Sequence, residues 1–225
     1  MSEIIFEVEK FVKSEMASND ASHDWNHINR VRRLALKIAH NEGLCEDQCF
    51  LVEVSALLHD IGDWKYSKGS CPRGQYNAPL IIEKFLTELG LDSVAVSNIC
   101  YVVGHLGFSQ SLDQTASNSD SDLLRVLHVV QDADQLDGIG AIGVARCLIY
   151  GATKGSCLHD PSIPTREHMT TKEYREGKST TINHFYEKLF KLKDMMKTPT
   201  GRQLAEERHH FMRAFVSQFE KEWAC

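Results

Sequence analysis

The sequence predicts an all-α protein, a bundle of roughly eight to ten helices with its functional site between helices. Apolar residues recur at three- and four-residue intervals in nearly every structured stretch, no run of alternating β-branched residues appears, and no internal repeat is evident. At 225 residues the chain can fill one domain well or two small ones. The expectation is a single domain over 1–225, with a core at about 20–150 and C-terminal helices at about 180–223 packed on it.

Ile4, Ile5, Val8, Phe11 and Val12 fall on one face of a first amphipathic helix. A second is expected over about 24–41, with His27, Val31, Leu34, Ala35 and Ile38 on its inward stripe and Gly43 as its stop. The third carries Phe50, Leu51, Val54, Leu57, Leu58 and Ile61, with His59 and Asp60 near its C-terminal end and Gly62 allowing a turn. Residues 65–76 are polar, contain Gly69, Pro72 and Gly74, and read as a loop. Helices follow at about 78–89, stopped by Gly90, and at about 92–106, where Val96, Ile99, Val102 and Val103 keep the helical interval. The Ser-, Asp-, Asn- and Gln-rich stretch 107–122 predicts a surface loop. Beyond it come a helix from 123 to about 136, a small-residue helix at about 138–150 and an irregular segment over 151–170. Two long helices near 180–197 and 200–223, separated by Pro199, close the chain.

Hydrophobic and charged contents of 42% and 25% are those of a soluble globular protein. A net charge of −6 excludes a general nucleic-acid-binding surface, so no nucleic-acid polymer is expected as a partner. A few local cations can still hold a phosphorylated small molecule. Seven scattered cysteines, with Cys45 and Cys49 lacking a second pair at zinc-ribbon spacing, read as reduced, mostly buried thiols. The N-terminus is acidic and amphipathic rather than a signal peptide, and no apolar run approaches the ~18 residues of a membrane span. The expectation is a soluble, cytoplasmic protein with no membrane partner, whose apolar helix faces are compatible with a homodimer.

Chemistry concentrates in three places. His59-Asp60 offers an imidazole nitrogen beside a carboxylate oxygen, a pairing suited to Mn²⁺, Fe²⁺, Co²⁺ or Zn²⁺. Such a dipeptide is common by chance, and partners decide its meaning. His23-Asp24-Trp25-Asn26-His27 stands upstream, where His27 alone would read as a core histidine. Downstream, Asp132, Asp134 and Asp137 sit among Val126, Leu127, Val129, Val130, Ala133 and Leu136, where an unpaired carboxylate is costly and a metal removes the cost. Asp24 reads either as an N-cap or as a partner for an imidazole. Arg30, Lys65, Arg73, His184 and Lys188 are candidates for phosphate contact, each against the plainer reading of a solvated surface group. Gly138 to Gly143 matches G-x-G-x-x-G, but the residues before it look helical, so small residues for close helix packing explain it better than a dinucleotide fold. Gly201-Arg202 reads as a turn, no Gly-x-Ser-x-Gly elbow is present, and nothing suggests a cysteine nucleophile.

These residues resemble the HD-domain metal-dependent phosphohydrolases, whose pattern is His, then His-Asp, then a distant Asp. The resemblance continues through HDW-x-H-x-x-RV at 23–31, ALLHDI at 56–61, VVQDAD-x-LD-x-IGAIG at 129–143 and INHFYEKL…TGRQLAEER at 182–208, nearly the whole chain. These stretches look like one subfamily, some bacterial members of which hydrolyse nucleoside triphosphates to monophosphate and pyrophosphate. It implies the metal ligands His27, His59, Asp60 and Asp134, the last because the family's final ligand sits in an Ala-Asp step. Asp132 and Asp137 then support a ligand from outside or cap a helix, and His23 and Asp24 stand beside His27 in the same supporting position. Asp63, three residues after Asp60, is where some nucleotidase relatives carry a catalytic acid; its alternative is a solvated carboxylate. His105 ends an apolar helix where family members hold a histidine near the metal; its alternative is a core or capping role.

One divalent ion is expected, Mn²⁺ ahead of Co²⁺, Fe²⁺, Mg²⁺ or Zn²⁺, with His128 the residue a second ion would recruit. The implied activity is a metal-dependent phosphohydrolase acting on a (deoxy)nucleoside triphosphate. A nucleoside 5′-monophosphate phosphatase and an alarmone hydrolase are the alternatives within that class. A regulatory or ligand-binding HD protein without turnover is the alternative outside it, and a di-iron oxygenase needs more His and carboxylate ligands than the motif offers.

Overall fold

The computed structural model describes residues 2–17, 20–21, 23–61, 78–106, 121–166 and 179–224, and among them the chain is all-α with no strand. The helices are α1 (Ser2–Met16), α2 (Trp25–Asn41), α3 (Glu46–Leu58), α4 (Ala78–Glu88), α5 (Ser93–Gly104), α6 (Ser121–Asp137), α7 (Gly140–Thr153), α8 (Asn183–Glu187) and α9 (Pro199–Trp223), with a 3₁₀ helix at Leu189–Met195. No single helix among the described residues is long and apolar enough to cross a membrane.

Two compact units emerge, one ending at Ala133 and the other beginning at Asp134, with the stub at Asp20 grouped with the second. In the first, α2 and α3 form an antiparallel hairpin, α1 packs on both, and α5 packs on α3 and α4. Its core is built from the stripes the periodicity marks: Ile5, Val8 and Val12 of α1, Ile28 of α2, Val54, Leu57 and Leu58 of α3, and Ile99 and Val103 of α5. The hairpin turn is made by Gly43 at φ 70°, where its own N–H donates to His40 O and the Leu44 N–H donates to Ala39 O. A side chain there would oppose the left-handed geometry that closes α2 and reverses the chain.

In the second unit, α9 packs against α7 and the 3₁₀ helix. Gly143, in the first turn of α7, shows why the glycine-rich stretch is small: a Cβ there would stand 2.3 Å from the Gly138 carbonyl oxygen. The stretch is a tight helical corner, braced by Arg208, which donates to the Leu136 carbonyl, and by an ion pair between Arg146 and Asp137.

Several boundaries differ from expectation. α3 ends at Leu58, so His59 and Asp60 lie in the turn after it and not in its last turn. The Ile61 N–H donates to Leu58 O, and this one tight turn keeps Ile61 buried, which extends the apolar stripe past the helix. α7 runs on to Thr153. Gly201 is no turn but lies in the first turn of α9, its N–H donating to the Oγ1 of the N-cap Thr198. The long helix expected over 180–197 is broken. It begins behind Thr180, whose Oγ1 accepts the Asn183 N–H, but Lys188 departs to φ −138° and ψ −58° and Leu189–Met195 winds as 3₁₀. Tighter winding buries Leu189, Phe190 and Leu192 within little more than a turn, while Glu187 is held back by Arg166 and Ser179. The loop expected over 65–76 and most of that expected over 107–122 lie outside the described residues.

Candidate metal centre

The start of α2 is fixed by Asp24, the N-cap: its Oδ1 accepts the His27 N–H at 3.1 Å and its Oδ2 accepts from the Asn26 side-chain amide at 2.8 Å. Of its two sequence readings, the helix cap is the one formed. His27 therefore enters at a set point in the first turn and faces inward, 1% exposed. From the turn that closes α3 comes His59, whose Nδ1 lies 2.8 Å from the Ala56 carbonyl. A carbonyl only accepts, so Nδ1 carries the proton and Nε2 is left with its lone pair outward.

Three donor atoms converge. His27 Nε2 and His59 Nε2 are 3.1 Å apart, and Asp60 Oδ2 lies 3.4 Å from the first and 3.6 Å from the second. A cation bonded at ~2.1 Å places neighbouring donors about 3.0 Å apart at octahedral angles and about 3.4 Å apart at tetrahedral ones. The triangle has the size of a coordination face. Among the described residues Asp60 Oδ2 is buried and makes no hydrogen bond, an arrangement that costs free energy unless a cation takes the lone pairs. Burial pushes the Asp60 carboxyl up, but the imidazoles of His59, His27 and His23 outweigh it and hold the group well below the usual carboxylate range. The donor set, two imidazoles and an ionised carboxylate, fits a divalent transition-metal ion.

His23 belongs to this neighbourhood, its ring edge-on to His27 with centroids 5.7 Å apart. Arg30 is half-buried one turn beyond His27. Asp134 is half-buried on α6 and falls in the second unit, whereas Asp132, two residues earlier, is fully buried in the first. Asp137 is engaged by Arg146 at 3.1 Å, which braces the α6–α7 corner. His128 is half-buried on α6.

His105 is exposed at the C-cap of α5. Its Nδ1 lies 2.7 Å from Tyr101 O, its ring lies over that of Tyr101, and its carbonyl accepts from Gln131, which is the capping role. In the second unit, burial pushes the His184 imidazole down to about 3, with Lys188 and Arg166 adding to the shift and Glu187 opposing it. His184 therefore offers a neutral hydrogen-bonding ring where the sequence suggested a phosphate-binding cation. Lys188 is half-buried one turn later. Asp63, Lys65 and Arg73 lie outside the described residues.

Arg32 lies outside the sequence motifs. It lies on α2 and donates through Nε and Nη2 to Glu53 Oε1 on α3, and through Nη1 to Glu9 Oε1 on α1. Glu53 is 21 residues away in sequence, so no helical spacing announces the pair.

No family model matches the sequence. Individual proteins do. The uncharacterised protein YpgQ of Bacillus subtilis is 32% identical over 216 residues, covering 96% of this chain and 92% of its own. A crystal structure from Lactobacillus plantarum is 35% identical with a TM-score of 0.82, covering 100% of this chain and 98% of its own. An HD-superfamily hydrolase from Bacillus thuringiensis is 33% identical with a TM-score of 0.71, over the same shares of the two chains. YpgQ has also been crystallised in complex with ADP, and that structure is 31% identical with a TM-score of 0.71 over 97% of both chains.

Proposed function

This chain belongs to the HD superfamily of metal-dependent phosphohydrolases, and from that membership we propose that it hydrolyses a (deoxy)nucleoside triphosphate to the monophosphate and pyrophosphate. The observation that carries the site is the His27, His59 and Asp60 triangle with its buried, unbonded carboxylate oxygen. Support for a nucleotide comes from the ADP complex of YpgQ, which is alike over almost the full length of both chains.

His27, His59 and Asp60, with Asp134 proposed as the fourth ligand, would hold one divalent ion, Mn²⁺ or Co²⁺ in preference to Mg²⁺. Two imidazoles favour a borderline transition metal over an ion that prefers an all-oxygen, hydrated shell. Such an ion supplies Lewis acidity: it eases deprotonation of water and offsets negative charge on the phosphoryl group. The chain does the rest. The proton of His59 stays on Nδ1, held by the Ala56 carbonyl, and this fixes the ring plane and keeps Nε2 available. Asp63 accepts the proton of the attacking water; the bond from the α-phosphorus to the bridging oxygen breaks, and pyrophosphate leaves with that oxygen. Arg30, Lys65 and Lys188 neutralise phosphate charge, and His184, being neutral, contributes a hydrogen bond instead.

The test is a turnover screen of chelator-stripped, metal-reconstituted protein against nucleoside mono-, di- and triphosphates, scoring phosphate and pyrophosphate separately. Pyrophosphate from a triphosphate is the expected outcome. Inorganic phosphate from a 5′-monophosphate would assign the nucleotidase chemistry instead, and pyrophosphate from the 3′ position of a guanosine polyphosphate would assign alarmone hydrolysis. No turnover with metal bound would leave a ligand-binding protein.

A further inference from the structure

The ligand triangle depends on how far along each other α2 and α3 lie. His27 is in the first turn of α2, and His59 and Asp60 follow the last turn of α3, at one end of the hairpin, while the chain connection is at the other. The contact between the helices is largely apolar, with Ile28, Val54, Leu57 and Leu58 in one core. Apolar contact is non-directional, so it holds the helices together without fixing their axial position to fractions of an ångström. A shift of one residue is ~1.5 Å along a helix. A metal site is sensitive on a much finer scale, about 0.2 Å in each bond.

Arg32 supplies a directional contact where it is needed. It stands five residues beyond His27 on α2, and Glu53 six residues before His59 on α3, so an antiparallel pair in which His27 meets His59 brings Arg32 to Glu53 almost in register. The guanidinium places Nε at 2.7 Å from Glu53 Oε1, adds Nη2 to the same oxygen, and spends Nη1 on Glu9 of α1. Both Arg32 and Glu53 side chains are 19% exposed, and Glu9 is 24% exposed, so the network is partly shielded from water. Its rigid planar fork resists sliding in a way that a lysine ammonium does not.

We propose that Arg32 is a positioning residue for the metal centre: its fork to Glu53 sets the axial register of α2 on α3, and with it the spacing of the His27, His59 and Asp60 donor atoms. This rests on the metal-site reading above. The Glu9 arm ties in α1, which carries none of the three donors, so the two arms of one side chain separate register from general stability.

The experiment titrates Mn²⁺ calorimetrically into the chelator-stripped full chain and follows melting of the same samples by circular dichroism. The variants are Arg32→Ala, Arg32→Lys, Glu53→Gln, Glu9→Gln and, as the ligand control, His59→Ala. Arg32→Ala and Glu53→Gln are expected to weaken Mn²⁺ binding about tenfold or more, the range found when groups that orient a ligand are removed. Arg32→Lys falls between these and the wild type. Glu9→Gln lowers Tm but leaves the Mn²⁺ dissociation constant within about twofold of wild type, the scatter expected for independent sites. If Arg32→Ala does not fold, the near-isosteric Glu53→Gln carries the same test. Clamp variants that lose Tm as Glu9→Gln does, yet bind Mn²⁺ as tightly as wild type, would overturn the positioning role and leave the metal site standing. A His59→Ala variant that binds Mn²⁺ like wild type would overturn the metal site, and the positioning role with it.

Discussion

Replacing Asp60 with Asn separates metal binding from folding. The side chain keeps its shape and loses its charge at the one atom of the triangle that is buried without a hydrogen bond, Oδ2. In the protein without metal, that change is mild. His59 Nε2 carries a lone pair because Nδ1 donates to Ala56 O, and an Asn amide N–H at the Oδ2 position, 3.6 Å away, needs only a small rotation to donate to it. The carboxylate's desolvation cost also disappears. Metal-free Asp60→Asn is therefore expected to melt within a few degrees of metal-free wild type. With metal the two diverge. At a free concentration of a hundred times Kd, binding stabilises the wild type by about 2.7 kcal/mol. For a chain of this size each kcal/mol moves Tm by about 2–4 °C, so Mn²⁺ raises the wild-type Tm by roughly 5–11 °C. Asn is a poor ligand beside two imidazoles, and the variant's shift should fall to near zero. Differential scanning calorimetry with and without Mn²⁺, at matched ionic strength, reads both quantities. A full Mn²⁺-dependent shift in Asp60→Asn would refute the coordination argument. A collapse of the metal-free variant would refute the claim that the carboxylate is there for a cation rather than for the fold.

Three further outcomes follow from the same structure. Chelator-stripped protein should regain activity best with Mn²⁺ or Co²⁺ and less with Mg²⁺; a titration in which Mg²⁺ is clearly superior would count against a site with two imidazoles. Asp134→Asn should abolish tight metal binding and turnover while Asp132→Asn costs about 10–100-fold, since two residues on a helix are ~200° apart and cannot aim at one ion; elemental analysis giving the reverse order would move the ligand to Asp132. Glu187 is buried and bonded to Arg166 and Ser179; burial pushes its carboxyl up, but these partners outweigh burial and hold it below its ordinary value. A depressed carboxylate contributes stability that is complete above the unfolded value, ~4.3, and is lost as pH falls through the folded one. Glu187→Gln should accordingly cost roughly 3 kcal/mol at pH 7, the lower end for a buried pair because Arg166 keeps 22% exposure, and much less near pH 3. A melting difference that stays constant from pH 7 to pH 3 would refute it.

The helices were legible because burial repeats every 3.6 residues and because their ends carry local chemistry. Asp24, Asp92 and Thr198 each cap a helix with a side-chain oxygen, and Gly43 sits just past the end of one. Where local chemistry does not distinguish two windings, the sequence misleads. Over seven residues a 3₁₀ stripe and an α stripe bury nearly the same positions, so Leu189–Met195 reads as more of one long helix. Ile61 misleads similarly, because a single Leu58–Ile61 turn returns it to the core after the helix has stopped. At the site, the resemblance to the HD family singles out His27, His59 and Asp60 from their order along the chain, and the structure brings the three together as a group that could hold a metal ion. The direction and charge of the outlying candidates were not legible in the sequence. His105 is turned back on its own helix and His184 is neutral because of what surrounds each, and surroundings are a property of the packing.

The same distinction explains why Arg32 escapes a motif search although it lies five residues from a marked histidine. A motif specifies which atoms are present; the distance between atoms on different helices is set by how those helices meet. Here the turn at Gly43 fixes the connection between α2 and α3 at the end remote from the triangle, and any small change of crossing angle there grows along the hairpin. From Asn41, the last residue of α2, to His27 is 14 residues of helix, a lever of about 21 Å, over which a tilt of one degree moves the far end by about 0.4 Å. That displacement already exceeds the ~0.2 Å tolerance of a metal–ligand bond. A tight turn alone therefore cannot hold three donor atoms at 3.1–3.6 Å separations, and a directional contact partway to the site adds to what the packed core supplies. The Arg32 fork to Glu53, between α2 and α3, is at that place.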